Sequence, residues 1–143
     1  MADRAEKERI LRELYDARVR GDLVTINRHF SENARFEMAG APGAGHIAVK
    51  TAGAEEFRPF ISHMIKIFKM SDLDIRTILI EGDKAAVHWR VKVVSTVTGQ
   101  EAVTDLCDIV EFKDGRVISF VQFCDTAMAG AMMGWGRSAV LHA

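Results

Sequence analysis

The main change in the hydrophobic period of this chain comes near its middle. In the first half apolar residues recur every three or four positions; after Asp74 they alternate with polar ones. The first spacing keeps side chains on one face of a helix, the second on one face of a strand. Ile10, Leu14 and Ala17 form one stripe and Leu11, Tyr15 and Val19 the next, which predicts a helix from about Ala5 to Arg20. Asp3 and Glu6 have the spacing of a capping box ahead of it, and Gly21 stands where a left-handed cap would stop it. Asp22 then caps a short second helix, Leu23 to Phe30, which ends at Ser31 to Asn33. Ala34 to Met38 reads as a short strand with Phe36 and Met38 on one face. Phe57, Ile61, Met64 and Phe68 mark a third helix, Glu55 to Met70. Its Pro59 comes early, where a missing N–H costs least. His63 lies off that stripe and is expected in solvent.

Four strands follow: Ile75 to Glu81, Lys84 to Val97, Ala102 to Phe112 and Arg116 to Cys124. Gly82-Asp83, Thr98-Gly99 and Asp114-Gly115 separate them, so an antiparallel meander is expected. In the second of these strands Val87, Trp89, Val91 and Val93 share one face, and His88, Arg90 and Lys92 share the other. Charged residues are mostly exposed, so the polar face reads first as wet. The tail, Thr126 to His142, places Met128, Met132 and Trp135 at helical spacing. Helices lead, strands follow, and no repeat or linker intervenes. A single α+β domain over residues 1–143 is expected, with a core of about 5–127 and a helical tail over 128–143.

Composition narrows the function classes. Hydrophobic residues are 48% and charged residues 27%, with a net charge of -1. No basic stripe exists, which argues against a nucleic acid or an anionic membrane surface as partner. No apolar run approaches the ~20 residues of a membrane span, and the first residues lack the apolar block of a signal peptide. A soluble, cytoplasmic protein is the expectation. Cys107 and Cys124 make no CxxC pair and are expected as buried, reduced thiols. The five histidines are scattered without metal-ligand spacing, so no metal site is expected. Gly40 to His46 is glycine-rich but fits no phosphate-binding pattern; it reads as a flap beside a pocket.

The order of landmarks then becomes informative. Gly21-Asp22 ends the first helix and precedes Phe30 to Ala34. Gly82-Asp83 introduces the strand with His88, Trp89 and Arg90. Thr104 to Asp108, Asp114 to Arg116 and Asp125-Thr126 follow. From about Ala5 to Ala127 this order resembles the SnoaL-like branch of the nuclear-transport-factor-2-like superfamily. That group includes steroid Δ-isomerases, polyketide cyclases, limonene epoxide hydrolases and scytalone dehydratases. The resemblance implies a cone-shaped, strongly curved antiparallel sheet wrapped around three N-terminal helices, a cystatin-like α+β barrel. It also implies a deep apolar pocket, usually in a dimer. By similarity the inward positions include His88, Arg90, Asp108, Phe120, Gln122 and Cys124, with Phe36 and Met38. Asp108 matches the pocket aspartic acid of the isomerases. Met38 stands where those enzymes carry a carboxylate base, and Leu14 where they carry a tyrosine, with Tyr15 one residue off. Arg90 matches an arginine of the epoxide hydrolases, but Lys92 and Gln122 replace their two aspartates.

Turn geometry bears on the same residues. A three-residue loop, Val97 to Gly99, would pair Thr96 with Gln100 and set His88 opposite Asp108, with Arg90 diagonal to it. A bulge or two-residue slip would set Arg90 opposite Asp108 instead. Either way a cation meets the carboxylate. At the next turn a two-residue loop, Asp114-Gly115, would place Val121 inward. A three-residue loop from Lys113 would place Phe120, Gln122 and Cys124 inward, as the resemblance implies.

The candidate catalytic residues are therefore His88, Asp108 and Arg90. The carboxylate would orient the imidazole as acid or base, and the guanidinium would hold a developing oxyanion. The candidate substrate pocket comprises Phe36, Met38, Phe57, Met64, Phe120, Gln122 and Cys124. Three functions fit this reading. One is a cofactor-free isomerase, cyclase, dehydratase or hydrolase acting on a small lipophilic carbonyl or epoxide compound. Another is a non-catalytic module that binds a small lipophilic ligand. The third is a protein-interaction domain. A homodimer through the sheet is also expected, because the rows Val87, Trp89, Val91 and Val93 with Cys107 and Ile109 exceed what one small helix layer covers.

Overall fold

The structure, a computed structural model, describes residues 3–41 and 48–134. Helix α1 spans Arg4–Arg20, with the Asp3 carboxylate accepting the Glu6 N–H at its start. Gly21 follows in the left-handed region at φ 76°, a conformation that costs glycine little. Helix α2 is Leu23–His29, capped by Asp22. Strand β1 is Phe30–Met38 and β2 is Val49–Ala52; helix α3 is Ala54–Ile67. The remaining strands are β3, Phe68–Glu81; β4, Lys84–Ser95; β5, Glu101–Lys113; and β6, Arg116–Phe123. A short helix α4, Thr126–Met132, closes the described chain. The expected flap falls largely, and Trp135 with the rest of the tail entirely, outside the described residues.

The larger departures from the sequence reading are one missed strand and two strand starts. Strand β2 was hidden by its brevity. Strand β1 begins at Phe30, directly at the end of α2. Strand β3 begins at Phe68, so the helix expected to reach Met70 stops at Ile67. From Phe68 onward the apolar positions alternate as well as recurring at helical spacing, and pairing with β4 decides for the strand.

The sheet is one curved, unclosed layer of six strands in the order β2-β1-β6-β5-β4-β3. Strand β1 runs parallel to β6 and every other pair is antiparallel, so the sheet is mixed. Helices α1, α2 and α3 cover its inner face. Leu11, Ala17, Val87, Val91, Val110 and Val117 are fully buried between the two layers. Each of these leucine and valine side chains contributes roughly 1.5–3 kcal/mol by leaving water.

The β4–β5 turn overturns the expected register. The loop has four residues, Thr96 to Gly99: Ser95 N–H donates to the Gln100 carbonyl, and Gly99 N–H donates to the Ser95 carbonyl. Val94 therefore pairs with Glu101, His88 with Cys107 and Arg90 with Asp105. This is one residue away from the predicted pairing, and a one-residue slip exchanges the two faces of a strand. Asp108 now pairs with Val87 and shares the buried face.

The β5–β6 turn resolves the open alternative in an unforeseen way. Its loop is the two-residue Asp114-Gly115, both at positive φ (52° and 76°), with Lys113 facing Arg116. A register shift then follows: Phe112 pairs with Val117 but Glu111 with Ser119. The extra residue, Ile118, is a β-bulge. It restores Phe120 and Gln122 to the inner face, with Gln122 opposite Asp108.

Candidate functional site

Two polar constellations emerge, on opposite faces of the sheet. On the outer face, His88 Nε2 lies 2.6 Å from Asp105 Oδ2, and Arg90 Nε donates to Asp105 Oδ1 at 2.7 Å. A His–Asp–Arg cluster thus exists, but its acid is Asp105, not Asp108. All three side chains are more than two-fifths exposed. The hydrogen bonds from Arg90 and His88 hold the Asp105 carboxyl down at about 2. Neither His88 nor Arg90 meets Asp108, and no cation among the described residues pairs with it. The first, wet reading of the polar face is the one the structure adopts. Cys107 is also exposed on this face rather than buried.

On the inner face, Asp108 is fully buried. The Tyr15 hydroxyl donates to its Oδ2 at 2.6 Å and the Trp89 indole N–H to the same oxygen at 2.8 Å. Oδ1 has no hydrogen-bond partner within ordinary bonding geometry among the described residues, Gln122 being the neighbour across the strand pair. Burial raises the Asp108 carboxyl to about 7, against the pull of Tyr15, Trp89 and Gln122 toward the charged form. The Tyr15 hydroxyl moves up in turn, through burial and the nearby carboxylate, and keeps its proton. The Tyr15 and Trp89 rings lie 4.9 Å apart and tilted. Trp89 comes from the apolar row of β4 and Tyr15 from the second stripe of α1. A tryptophan in a buried row needs an acceptor for its N–H, and that was the signal for this site in the sequence.

The Tyr15 and Trp89 rings form part of the wall of a cavity of about 100 Å³ between the helices and the sheet. Its wall includes Phe36, Met38, Phe57, Met64, Phe120, Gln122 and Cys124, all of which the sequence placed at a pocket. Sequence reasoning missed Leu14, Arg18, Met70, Thr104 and Met128 among the others. Phe36 and Phe120 stack at 5.5 Å, and Phe30 stacks on Phe57 at 4.4 Å. Met38 stands beside Gln122 in the parallel β1–β6 pairing. The Cys124 thiol is pushed up to about 11 by burial, which leaves it a poor nucleophile.

This arrangement has a definite chemical capacity. With Asp108 ionised, the Tyr15 proton is committed to the carboxylate, and the phenol oxygen offers the cavity a lone pair. With Asp108 protonated, the carboxylic acid can donate to Tyr15, which frees the Tyr15 O–H for a carbonyl in the cavity. Asp108 lies behind Tyr15 and Trp89, so it acts on the cavity through them. Among the described residues no group of three or more His, Cys, Asp or Glu side chains is placed to hold a metal ion.

A curved sheet that folds three helices against its inner face around an apolar cavity defines a nuclear-transport-factor-2-like cone. A family model of the SnoaL-like domain matches residues 11–120, and the chain belongs to that family. Solved structures share the fold at low identity. A protein of unknown function from Burkholderia pseudomallei, described as NTF2-like, is 21% identical over 93% of this chain and 98% of its own, with a TM-score of 0.79. A putative isomerase from Bacillus subtilis is 17% identical over 93% and 97%, at 0.80. An epoxide hydrolase from M. tuberculosis of the LEH-like type is 14% identical over 96% of both chains, at 0.71. No curated protein matches the chain. No described helix is long and apolar enough to cross a membrane.

Proposed function

We propose that this protein takes a small lipophilic molecule into the cavity, with an oxygen of that molecule at the end formed by Tyr15 and Gln122. The observation that supports this most is the contrast within the wall. Aromatic, aliphatic and thioether side chains surround the space, and of the few polar groups Tyr15 and Arg18 are held by hydrogen bonds. Burial of apolar surface supplies affinity and the few polar groups supply orientation. The four lining methionines, Met38, Met64, Met70 and Met128, adapt to different ligand shapes.

The test fills the cavity from a small residue. Ala129 lines it from α4 and is buried. Ala129→Phe is expected to weaken binding of a lipophilic carbonyl probe by about tenfold or more, since overpacking costs ~1–3 kcal/mol. His88→Ala and Asp105→Ala, on the outer face, are expected to leave it unchanged. Titration calorimetry reads all three. Equal loss from the outer-face variants would move the site to the other side of the sheet.

A second reading, as a cofactor-free isomerase or cyclase, draws on the Tyr15–Asp108 pair. A carboxyl that titrates near neutrality behind a phenol can pass a proton to a carbonyl oxygen. Met38 supplies no base, so this chemistry would rest on polarising and protonating the oxygen. Turnover of a conjugated ketone within the same probe set would favour it.

The outer face also supports a homodimer, through only part of the surface the sequence suggested. Val87, Trp89, Val91 and Val93 face the core. The exposed apolar residues of the outer face are Ile109, which the sequence included, with Leu79, Val103 and Phe123, set around the His88–Asp105–Arg90 cluster, and exposed apolar side chains gathered on one face of a sheet favour an interface. Sedimentation at micromolar concentration is expected to give twice the mass of one chain, and Ile109→Lys to return it to a monomer.

A further inference from the structure

Arg18 is the only charged side chain among the described residues lining the cavity. It stands three residues after Tyr15 on α1, so the two share one helical face and lie ~5–6 Å apart at Cβ. Its Nη2 donates to the carbonyl of Phe68 at 3.0 Å and, more weakly, to that of Met64 at 3.4 Å. Its Nε and Nη1 make no hydrogen bond to a described residue, and no described carboxylate lies within ion-pairing distance. Of the other cations of α1, Arg4 is exposed and donates to the Ile80 carbonyl, and Lys7 bonds the Gly82 carbonyl and Asp83. Arg9 and Arg12 pair with glutamates and Arg20 with Asp16, all on the exposed side of the helix. Burial lowers the Arg18 guanidinium to about 10, which still leaves it charged at neutral pH.

Part of this has a structural explanation. The two carbonyls belong to the end of α3 and the start of β3, and a cation there complements the negative end of a helix. One nitrogen meets that need. A guanidinium has five N–H donors in a planar fork matched to a carboxylate. A guanidinium set in an apolar wall with no described carboxylate beside it has donors left to offer an incoming anion.

We propose that the ligand of this cavity carries a carboxylate, and that Arg18 is its counterion. The ligand is then a small lipophilic acid, its charged group at Arg18 and any second oxygen one helical turn away at Tyr15. This rests on the reading of the cavity as a ligand pocket and adds the chemical class of the ligand.

The experiment compares hexanoate and octanoate with the alcohol and the amide of the same chain length, by titration calorimetry at neutral pH. The acids are expected to bind about tenfold or more tighter than their neutral counterparts, the scale of one charge-assisted hydrogen bond. Arg18→Gln, which keeps a donor for the Phe68 carbonyl, is expected to abolish that preference and leave alcohol binding within about twofold. Arg18→Lys is expected to retain part of it. Neutral probes that bind the wild type as tightly as the acids overturn the proposal and leave the lipophile reading standing. If neither acids nor neutral probes bind, the pocket reading fails and the proposal with it. The wild-type comparison decides even if Arg18→Gln does not fold.

Discussion

Asp108→Asn is expected to change how stability depends on pH more than any other single substitution in this chain. The Asp108 carboxyl titrates near 7 in the folded protein, against an ordinary value of 3.8. Its folded pKa is raised, so between about pH 4 and pH 7 the folded state binds a proton that the unfolded state has released. Stability therefore falls as pH rises through that window. The contribution is fully present below about pH 4 and is lost by the time pH exceeds the folded value. The gap corresponds to about 4 kcal/mol, at ~1.4 kcal/mol for each pH unit. Asparagine has the same shape but does not titrate. The stability of Asp108→Asn relative to wild type should accordingly improve by about 4 kcal/mol between pH 4 and pH 8. Denaturant melts of both proteins across that range measure it. Taking the difference between the two removes the other carboxylates, including Asp105, whose lowered value acts in the opposite direction at acid pH. Parallel pH profiles would sink the idea of a buried, protonatable Asp108.

The second large effect is expected at Trp89. It is 1% exposed and donates its indole N–H to Asp108. Trp89→Ala removes a buried ring from the cavity wall, which costs ~3–5 kcal/mol in comparable cores. Trp89→Phe separates the two roles of the residue. Most of the ring area remains, but Asp108 Oδ2 keeps only the Tyr15 donor, and the expected loss is about 1–3 kcal/mol. Urea melts with unchanged slope would assign both losses to the native state. If Trp89→Phe matches wild type while Trp89→Ala collapses, packing alone explains the residue and the hydrogen bond contributes nothing.

Trp89 lies in the strand whose alternation first suggested a site and Asp108 in its neighbour β5, and the site lies on the other face of that strand. Alternation told which residues of β4 travel together: Val87, Trp89, Val91 and Val93 on one side, His88, Arg90 and Lys92 on the other. It does not say which side is inward when both contain residues that a pocket could use. Family resemblance pointed to His88 and Arg90. Their high cost of desolvation pointed outward, and desolvation prevailed. The cluster they form with Asp105 is a surface ion network, of a kind that adds little to stability.

The sequence by itself determined the helices, because capping aspartates, terminal glycines and apolar spacing are local properties. The α+β order, the glycine turns of the meander and seven of the cavity-wall residues were equally legible, since each rests on residues near one another in the chain or on the order of landmarks along it. Only the tertiary structure decided the register. A four-residue loop at Thr96 to Gly99 and a bulge at Ile118 each shift a strand by a single residue, and with a side-chain period of two that shift moves every side chain to the other face. Loop length at Gly99 is a competition among several turns that the same residues can form, and the buried apolar area of the whole sheet settles it. Through that choice Asp108 meets Tyr15 and Trp89 in the core instead of His88, and Asp105 takes the partners that the local pattern had assigned to Asp108.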